Sequence, residues 1–311
     1  MRVIRIDDIS KLPVIEKKSV AAHGYFDAIH LGHQSLINKS IEVAKEKDYN
    51  SAVITFFPNP HLLFARDMVT NNFMDVTPMR NKLDIFEKMG IDIVFVVNLL
   101  NFKSIGARDY IHNFLAKVNI GHLVIGYDNS FGKDNAGNID TIEKYIEGVM
   151  DYTVCDPFLI DGYKVSTTRI KKLISEGDYQ EVKRLLGRNF KIKGRVFEGR
   201  RLGRTIGFPT ANVYLGEDQF KPGRGVYATY AYVNGVKYNA MTNVGINPTV
   251  SDDNNIKIEV HLIDADVEIY HQTIEVEFIS KVREEVKFES IDELKSQLEK
   301  DKETIKNLLL S

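Results

Sequence analysis

Two stretches of the chain combine residue types suited to phosphate chemistry. The first is Gly24-Tyr25-Phe26-Asp27-Ala28-Ile29-His30-Leu31-Gly32-His33. His30 and His33 stand three residues apart at an expected helix start, so both imidazoles can face one ligand. A helix N-terminus offers free N–H groups and the positive end of the helix dipole, and Gly32 lets a ligand approach the backbone. A zinc site fits less well. The metalloprotease pattern spaces its histidines four apart with a glutamate between, and no carboxylate separates this pair. The second stretch, residues 194–212, interleaves Gly194, Gly199, Gly203 and Gly207 with Arg195, Arg200, Arg201 and Arg204. Such a loop lets backbone N–H groups wrap an anion. It is not a P-loop, because GxxxxGK[ST] occurs nowhere. The run also fits a solvated turn or a nucleic-acid patch, and on composition alone the solvated turn is the preferred reading.

These groups need elements to position them. In the first half the apolar runs 20–22, 52–56, 91–97 and 122–125 predict buried strands. Between them lie helical patterns. Leu36, Ile37, Ile41 and Ala44 share one face, while Glu42, Lys45, Glu46 and Lys47 are solvated; 79–89 and 107–118 have the same character. The alternation predicts an α/β domain with a mostly parallel sheet and ligands at the carboxyl ends of its strands. Near residue 170 the pattern changes. Segments 169–175 and 179–186 predict two short helices, with Gly187 as a stop signal. Strands are then expected at 192–197, 226–233, 236–242, 256–263 and 273–279, with Asn234-Gly235 as a hairpin turn. Their close spacing predicts a small antiparallel barrel or sandwich. The stripe Ile291, Leu294, Leu298, Ile305, Leu308 and Leu309 predicts a terminal helix packed on it.

Composition bounds the class. A length of 311 residues suggests about two domains, at roughly 150 residues each. Lys+Arg 41 against Asp+Glu 43 gives a net charge of −2, so no overall field draws nucleic acid or anionic lipid. The lone Cys155 excludes an intrachain disulfide and any thiolate cluster, and reads as a buried or half-buried small apolar residue. No apolar run reaches the length of a membrane span, and the first residues lack the apolar core of a signal peptide. A soluble cytoplasmic protein is expected.

His30-Leu31-Gly32-His33 resembles the HxGH signature of Rossmann-like nucleotidyltransferases. Extended from Phe26-Asp27 to Gln34, it is similar to the bacterial bifunctional riboflavin kinase/FMN adenylyltransferases, or FAD synthetases. Later segments agree in order. Thr55-Phe56-Phe57-Pro58-Asn59-Pro60 is similar to the family's TFxPxP, Gly126-Tyr127-Asp128-Asn129-Ser130-Phe131-Gly132 to its GxDFxFG, and Val165-Ser166-Thr167-Thr168-Arg169-Ile170 to its ISSTxIR. Gly207-Phe208-Pro209-Thr210-Ala211-Asn212 matches the PTAN signature of riboflavin kinases without a change. Gly225-Val226-Tyr227, Asn243-Val244-Gly245, Pro248-Thr249 and Glu259-Val260-His261-Leu262 follow it in order.

The resemblance implies an N-terminal Rossmann-like nucleotidyltransferase domain over 1–186. It implies a riboflavin kinase domain over 187–311, a small antiparallel β-barrel with a terminal helix. It further implies phosphorylation of riboflavin to FMN by ATP, then transfer of AMP from a second ATP to FMN, giving FAD and pyrophosphate. Flavin is substrate and product, and Mg2+ accompanies ATP. At the adenylyl-transfer site the implied ATP contacts are Gly24, Phe26, His30, His33, Ser166, Thr167, Arg169 and Lys171, with His30 and His33 catalytic. Asn59, Asp128 and Phe131 are implied on the flavin side. In the kinase half the implied ATP contacts are Gly203, Arg204, Gly207, Thr210 and Asn212. Thr210 and Asn212 supply hard oxygens for Mg2+, and Glu259 is the base for the ribityl hydroxyl. The implied partners are riboflavin, FMN and ATP, with no membrane or nucleic acid.

The first half departs from the pattern at several positions. The usual glycine after Phe-Asp is Ala28, the acidic residue of TFxPxP is Phe57, and its His is Asn59. The Phe after Asp128 is Asn129, an expected Arg is Asn135, and the Arg closing ISSTxIR is Lys171, which keeps the charge without the bidentate fork. Two other readings stay open: a paralogue with one active half, the kinase half being better preserved, and a flavin-sensing regulator without turnover. The complete Thr210, Asn212 and Glu259 set speaks against the sensor, which needs no base.

Overall fold

The computed structural model describes residues 1–60, 73–198, 202–246, 256–265 and 267–310. Pro248, Thr249, Gly199, Arg200 and Arg201 lie outside the described residues, as does the side chain of Arg204. The chain forms two compact units, Met1–Val69 with Thr77–Ser166, and Thr70–Val76 with Thr167–Ser311.

The first unit contains β1 (Arg2–Ile6), β2 (Ser19–His23), β3 (Asn50–Phe57), β4 (Ile93–Asn98), β5 (Ile120–Gly126), β6 (Ser130–Phe131), β7 (Gly137–Asn138), β8 (Asp151–Cys155), β9 (Leu159–Ile160) and β10 (Tyr163–Lys164). Six of them make a parallel sheet in the order β1-β4-β3-β2-β5-β8. Alternate side chains along each central strand enter opposite cores. Ile54, Phe95 and Leu123 join one cluster with Tyr110, Ile111 and Phe114. Val53, Val94 and Val124 join the other, with Leu36 and Ile37 of helix Leu31–Lys47 and Phe86 of helix Met79–Lys88. With both faces covered, the strands read as unbroken apolar runs. The expected helix 107–118 departs from α geometry. After Ala107–Asp109 the segment Tyr110–Leu115 widens to a π-helix, and Ala116 N–H reaches Ile111 C=O at 2.9 Å.

The second unit opens with helices Thr167–Glu176 and Tyr179–Leu186. Asp178 caps the latter by accepting from Glu181 N–H, and Gly187 closes it at φ 68°. The strands that follow are β11 (Phe190–Phe197), β12 (Ala211–Leu215), β13 (Gly225–Val233), β14 (Val236–Ile246), β15 (Ile256–Leu262) and β16 (Thr273–Arg283). They close into an antiparallel barrel in the order β11-β12-β15-β14-β13-β16. Asn234 and Gly235, at φ 50° and 81°, make the two-residue turn between β13 and β14. Helix Ile291–Leu310 packs Leu298, Ile305 and Leu309 against Val226, Ala228 and Met241. Arg283 of β16 grips buried Asp301 of that helix at 2.8–3.1 Å.

The sequence divides the chain at 186/187, whereas the compact units part at Ser166/Thr167. The reason lies in the two intervening helices. Tyr179 stacks on Phe190 of the barrel at 6.0 Å and packs on Phe278 at 4.9 Å, and Val182 and Leu185 are fully buried beside it.

One buried titratable group stands out in the first unit. His23, at the carboxyl end of β2, is 2% exposed. Asn129 Nδ2 donates to the His23 carbonyl at 3.1 Å, which fixes the way the carboxamide points, since a carbonyl only accepts. Asn129 Oδ1 therefore faces Nδ1 of the ring at 3.0 Å and takes its hydrogen, and Nε2 accepts from the Tyr110 hydroxyl at 2.9 Å. A single backbone carbonyl thus sets the tautomer of the ring. Burial pulls His23 down to about 4 from its ordinary 6.5. Between these values the unfolded chain binds the proton and the folded chain does not, so stability falls as pH drops from 6.5 toward 4. At about 1.4 kcal/mol per pH unit the loss is roughly 3 kcal/mol over the whole window. We expect the His23 imidazole resonances in an NMR titration to stay unshifted from about pH 8 to 5. A midpoint near 6.5 would contradict the network.

Candidate active sites

The loop from Gly24 to His30 links β2 to helix Leu31–Lys47 at the carboxyl edge of the sheet, and hydrogen bonds tie it at nearly every residue. Gly24 N–H donates to Ile54 C=O. The Tyr25 carbonyl accepts from Thr55 Oγ1 at 2.9 Å and from the buried Lys82 ammonium at 3.1 Å. Asp27 Oδ1 accepts from Ala28 N–H at 2.6 Å and Thr77 N–H at 3.2 Å, and Gln34 Nε2 donates to Ile29 C=O at 2.8 Å. These bonds hold Phe26, Ala28 and Ile29 in left-handed conformations, at φ 55°, 67° and 42°. Each costs an L-residue roughly 1 kcal/mol or more. The glycine that the family motif has in place of Ala28 would bear this conformation without that cost.

The loop delivers the two histidines. His30 is the N-cap of the helix, and its Nδ1 accepts from His33 N–H at 3.2 Å. The ring hydrogen of neutral His30 is therefore on Nε2, where it can donate to a phosphate oxygen. The two rings stack with centroids 3.7 Å apart and planes 17° off parallel, and Phe26 sets its edge on His33 at 5.4 Å. Gly32 leaves room for the stack: a Cβ there would lie 3.2 Å from the His30 ring and push it by a few tenths of an ångström. The sequence indicated a helix start but not the cap, since histidine is outside the usual Ser, Thr, Asp and Asn set.

Beside this loop lies a cavity of about 510 Å³, within the usual range for small-molecule sites. Its lining includes His23, Phe56, Tyr110, Asn129, Phe131 and Asn135. Of the three expected flavin contacts, Phe131 lines it. Asn59 is buried and off the lining, while its neighbour Pro60 is on it. Asp128 is exposed, outside the lining, and paired with Lys164 at 2.6 Å. His23 and Tyr110 were not legible as site residues, because both stand in apolar runs that read as core.

Ser166 ends the first unit, and Thr167 begins the helix that opens the second. Arg169 pairs with Glu181 at 2.7 Å, and buried Lys171 holds its ammonium 5.6 Å from the Phe220 ring.

In the barrel three adjacent strands set a row of polar side chains. Asn212 of β12 lies opposite Glu259 of β15, and Glu259 lies opposite Asn243 of β14. Directly opposed residues share a face of the sheet, with Cβ atoms about 5 Å apart. Thr210, Asn243 and Glu259 line a cavity of about 300 Å³ together with Gly203, Phe208 and Phe288; Asn212 is buried and not on that lining. Lys257 Nζ meets Glu259 Oε1 at 2.7 Å. His261 Nδ1 donates to the Pro209 carbonyl at 2.8 Å and its ring packs on Phe208, fastening the turn before β12. Burial pulls His261 below the usual histidine range.

The glycines of this stretch serve the turn as well as any anion. A Cβ on Gly203 would collide with the Phe208 carbonyl oxygen, and Gly207 is left-handed at φ 84°. Gly194 instead belongs to β11, where a Cβ would lie 2.5 Å from the Tyr214 carbonyl oxygen. Among the described residues no three His, Cys, Asp or Glu side chains gather as a metal site, and no helix is long and apolar enough to cross a membrane.

Known proteins resemble both halves. The FAD synthetase family matches residues 12–169, and the riboflavin kinase family matches residues 186–309. A bifunctional riboflavin kinase/FMN adenylyltransferase of Listeria monocytogenes is 36% identical over 91% of this chain and 90% of its own. Those of Bacillus subtilis and Escherichia coli are 37% and 34% identical, over 93% and 98% of this chain and 92% and 96% of theirs. A Streptococcus pneumoniae crystal structure, described as a macrolide-efflux protein, superposes with a TM-score of 0.89 at 29% identity over 99% of both chains. With both halves matched and relatives above 30% identity along nearly its whole length, the chain belongs to the bifunctional riboflavin kinase/FMN adenylyltransferase family.

Proposed function

We propose that the chain phosphorylates riboflavin to FMN in the barrel, then transfers AMP from a second ATP to FMN at the parallel sheet, giving FAD and pyrophosphate. The observation that carries the kinase assignment is the row of Asn212, Glu259 and Asn243, with Thr210 beside it on the cavity. Glu259 is placed to accept the proton of a ribityl hydroxyl as its oxygen attacks the γ-phosphorus and ADP departs. Its partner Lys257 keeps the carboxylate oriented before substrate arrives. The hydroxyl of Thr210 and the amide oxygen of Asn212 suit Mg2+, which takes few protein oxygens and keeps waters or phosphate oxygens for the rest. When bound, that ion neutralises phosphate charge during transfer. Gly203, Arg204 and Gly207 complete the proposed nucleotide contacts.

For the adenylyl transfer, His30 and His33 together with the loop at Gly24 and Phe26 would hold the ATP phosphates. The reaction joins one phosphate oxygen to another phosphorus, so positioning and charge stabilisation do the chemistry and no protein nucleophile is required. The cavity lined by Phe131 is assigned to the flavin ring of FMN. Asn59 and Asp128, and Ser166, Thr167, Arg169 and Lys171 on the ATP side, are assigned by motif alone. A cytoplasmic location and small-molecule partners only complete the proposal.

The deciding experiment incubates the protein with Mg-ATP and either riboflavin or FMN, then separates the flavins by chromatography. Riboflavin converted to FAD supports both halves, FMN as sole product supports the kinase alone, and absence of turnover supports a sensor. Glu259→Gln should lower FMN formation by about 10²–10⁴-fold while supplied FMN still becomes FAD. Unchanged FMN formation would remove Glu259 from the base role. His30→Asn keeps an acceptor for the helix cap but loses the imidazole. It should leave the thermal midpoint nearly unchanged while FAD formation from FMN collapses, whereas His30→Ala should also cost about 1 kcal/mol of stability. Full FAD formation by His30→Asn would refute the phosphate assignment.

A further inference from the structure

The cavity beside the first loop holds a polar device that the adenylyl-transfer mechanism leaves unused. Asn129 is half-buried on its wall, in a lining that also carries Phe56, Tyr110 and Phe131. Its carboxamide has two hydrogens and two oxygen lone pairs. One hydrogen goes to the His23 carbonyl and one lone pair takes the His23 Nδ1 hydrogen. A second amide hydrogen and a second lone pair are left for whatever occupies the cavity. The amide cannot flip to exchange them, because a reversed amide would set Nδ2 against the Nδ1 hydrogen and oxygen against the carbonyl. Tyr110 extends the lock by donating to Nε2, which keeps the neutral ring's single N–H hydrogen on Nδ1. The motif resemblance has phenylalanine at this position, so an apolar contact has been replaced by an oriented donor and acceptor.

We propose that Asn129 is a specificity-determining residue that hydrogen-bonds the polar edge of a planar heteroaromatic ring in this cavity, with His23 and Tyr110 as positioning residues that fix its carboxamide. Aromatic side chains cover the ring's faces, and the locked amide reads its edge. The inference rests on the assignment of this cavity to the flavin ring of FMN. It adds which side chain discriminates that ring from an apolar one of the same shape.

The test measures adenylyl transfer with FMN and ATP varied separately. Asn129→Leu removes both recognition groups and should raise KM for FMN about tenfold while KM for ATP stays within about twofold, the loss of one or two net hydrogen bonds. Tyr110→Phe keeps the ring packing but removes the donor to Nε2, so the imidazole that backs the carboxamide is held less firmly. It should raise KM for FMN by a smaller factor, again without moving KM for ATP, and this guards against a leucine variant that fails to fold. An unchanged KM for FMN in both variants, or equal changes for FMN and ATP, would overturn the proposal. Wild-type conversion of FMN to FAD tests the underlying reading by itself. If the wild type makes no FAD but quenches FMN fluorescence with a Kd that Asn129→Leu weakens about tenfold, the edge contact stands and the transfer reading fails.

Discussion

Covering a parallel sheet on both faces constrains the whole first unit. With helix Leu31–Lys47 and helix Met79–Lys88 on one side and the segment around Tyr110–Leu115 on the other, a ligand finds open backbone only at the strand ends. The loop from Gly24 to His30 lies at that edge, and the cavity lined by His23, Phe56 and Phe131 opens there too. The left-handed residues of the loop follow from the same geometry. The chain must leave β2, turn sharply and enter a helix within a few residues, and the turn closes on a histidine whose ring serves as the cap. Helix initiation and the proposed phosphate contact thereby fall to one side chain.

The barrel solves its placement problem differently. It has no strand edge, so function resides in register: Asn212, Glu259 and Asn243 are far apart in sequence and adjacent because β12, β15 and β14 pair as they do. A slip of one residue in β15 would turn Glu259 to the opposite face and bring Ile258 or Val260 into its place. Buried Thr229 and Thr242, bonded hydroxyl to hydroxyl, and the turn at Asn234-Gly235 fix the adjoining register of β14 against β13.

Much of this was legible in residue order. The central strands announce themselves because burial on both faces makes them continuously apolar, and the Asn234-Gly235 turn because few residues accept two left-handed positions. The outer strands β1 and β8 were not legible, since edge strands are half exposed and Arg2, Arg5 and Asp151 break the pattern. β12 was hidden for another reason: its few residues directly follow the Pro and Gly of a turn. At the sites the motifs marked the histidine pair and Glu259, whose spacing is local. His23, Tyr110 and Asn129 were opaque because their relation spans about a hundred residues and rests on one backbone carbonyl. The helices on either side of Gly177 were legible as helices, but periodicity says that a helix has an apolar face and not which core receives it.

The grip of Arg283 on Asp301 has a bearing on how the barrel cavity comes into being. Leu294 and Leu298 of the terminal helix, with Val286 and Phe288 before it, form part of the wall around Glu259, and the ion pair fixes where that helix sits once its apolar face has packed on the strands. Without Asp301, Arg283 would face that cavity with no carboxylate to match it, so the terminal helix supplies a counter-charge as well as an apolar wall. Synthesis of the first unit thus precedes completion of the kinase cavity by more than a hundred residues, although the kinase reaction comes first in the proposed order of chemistry.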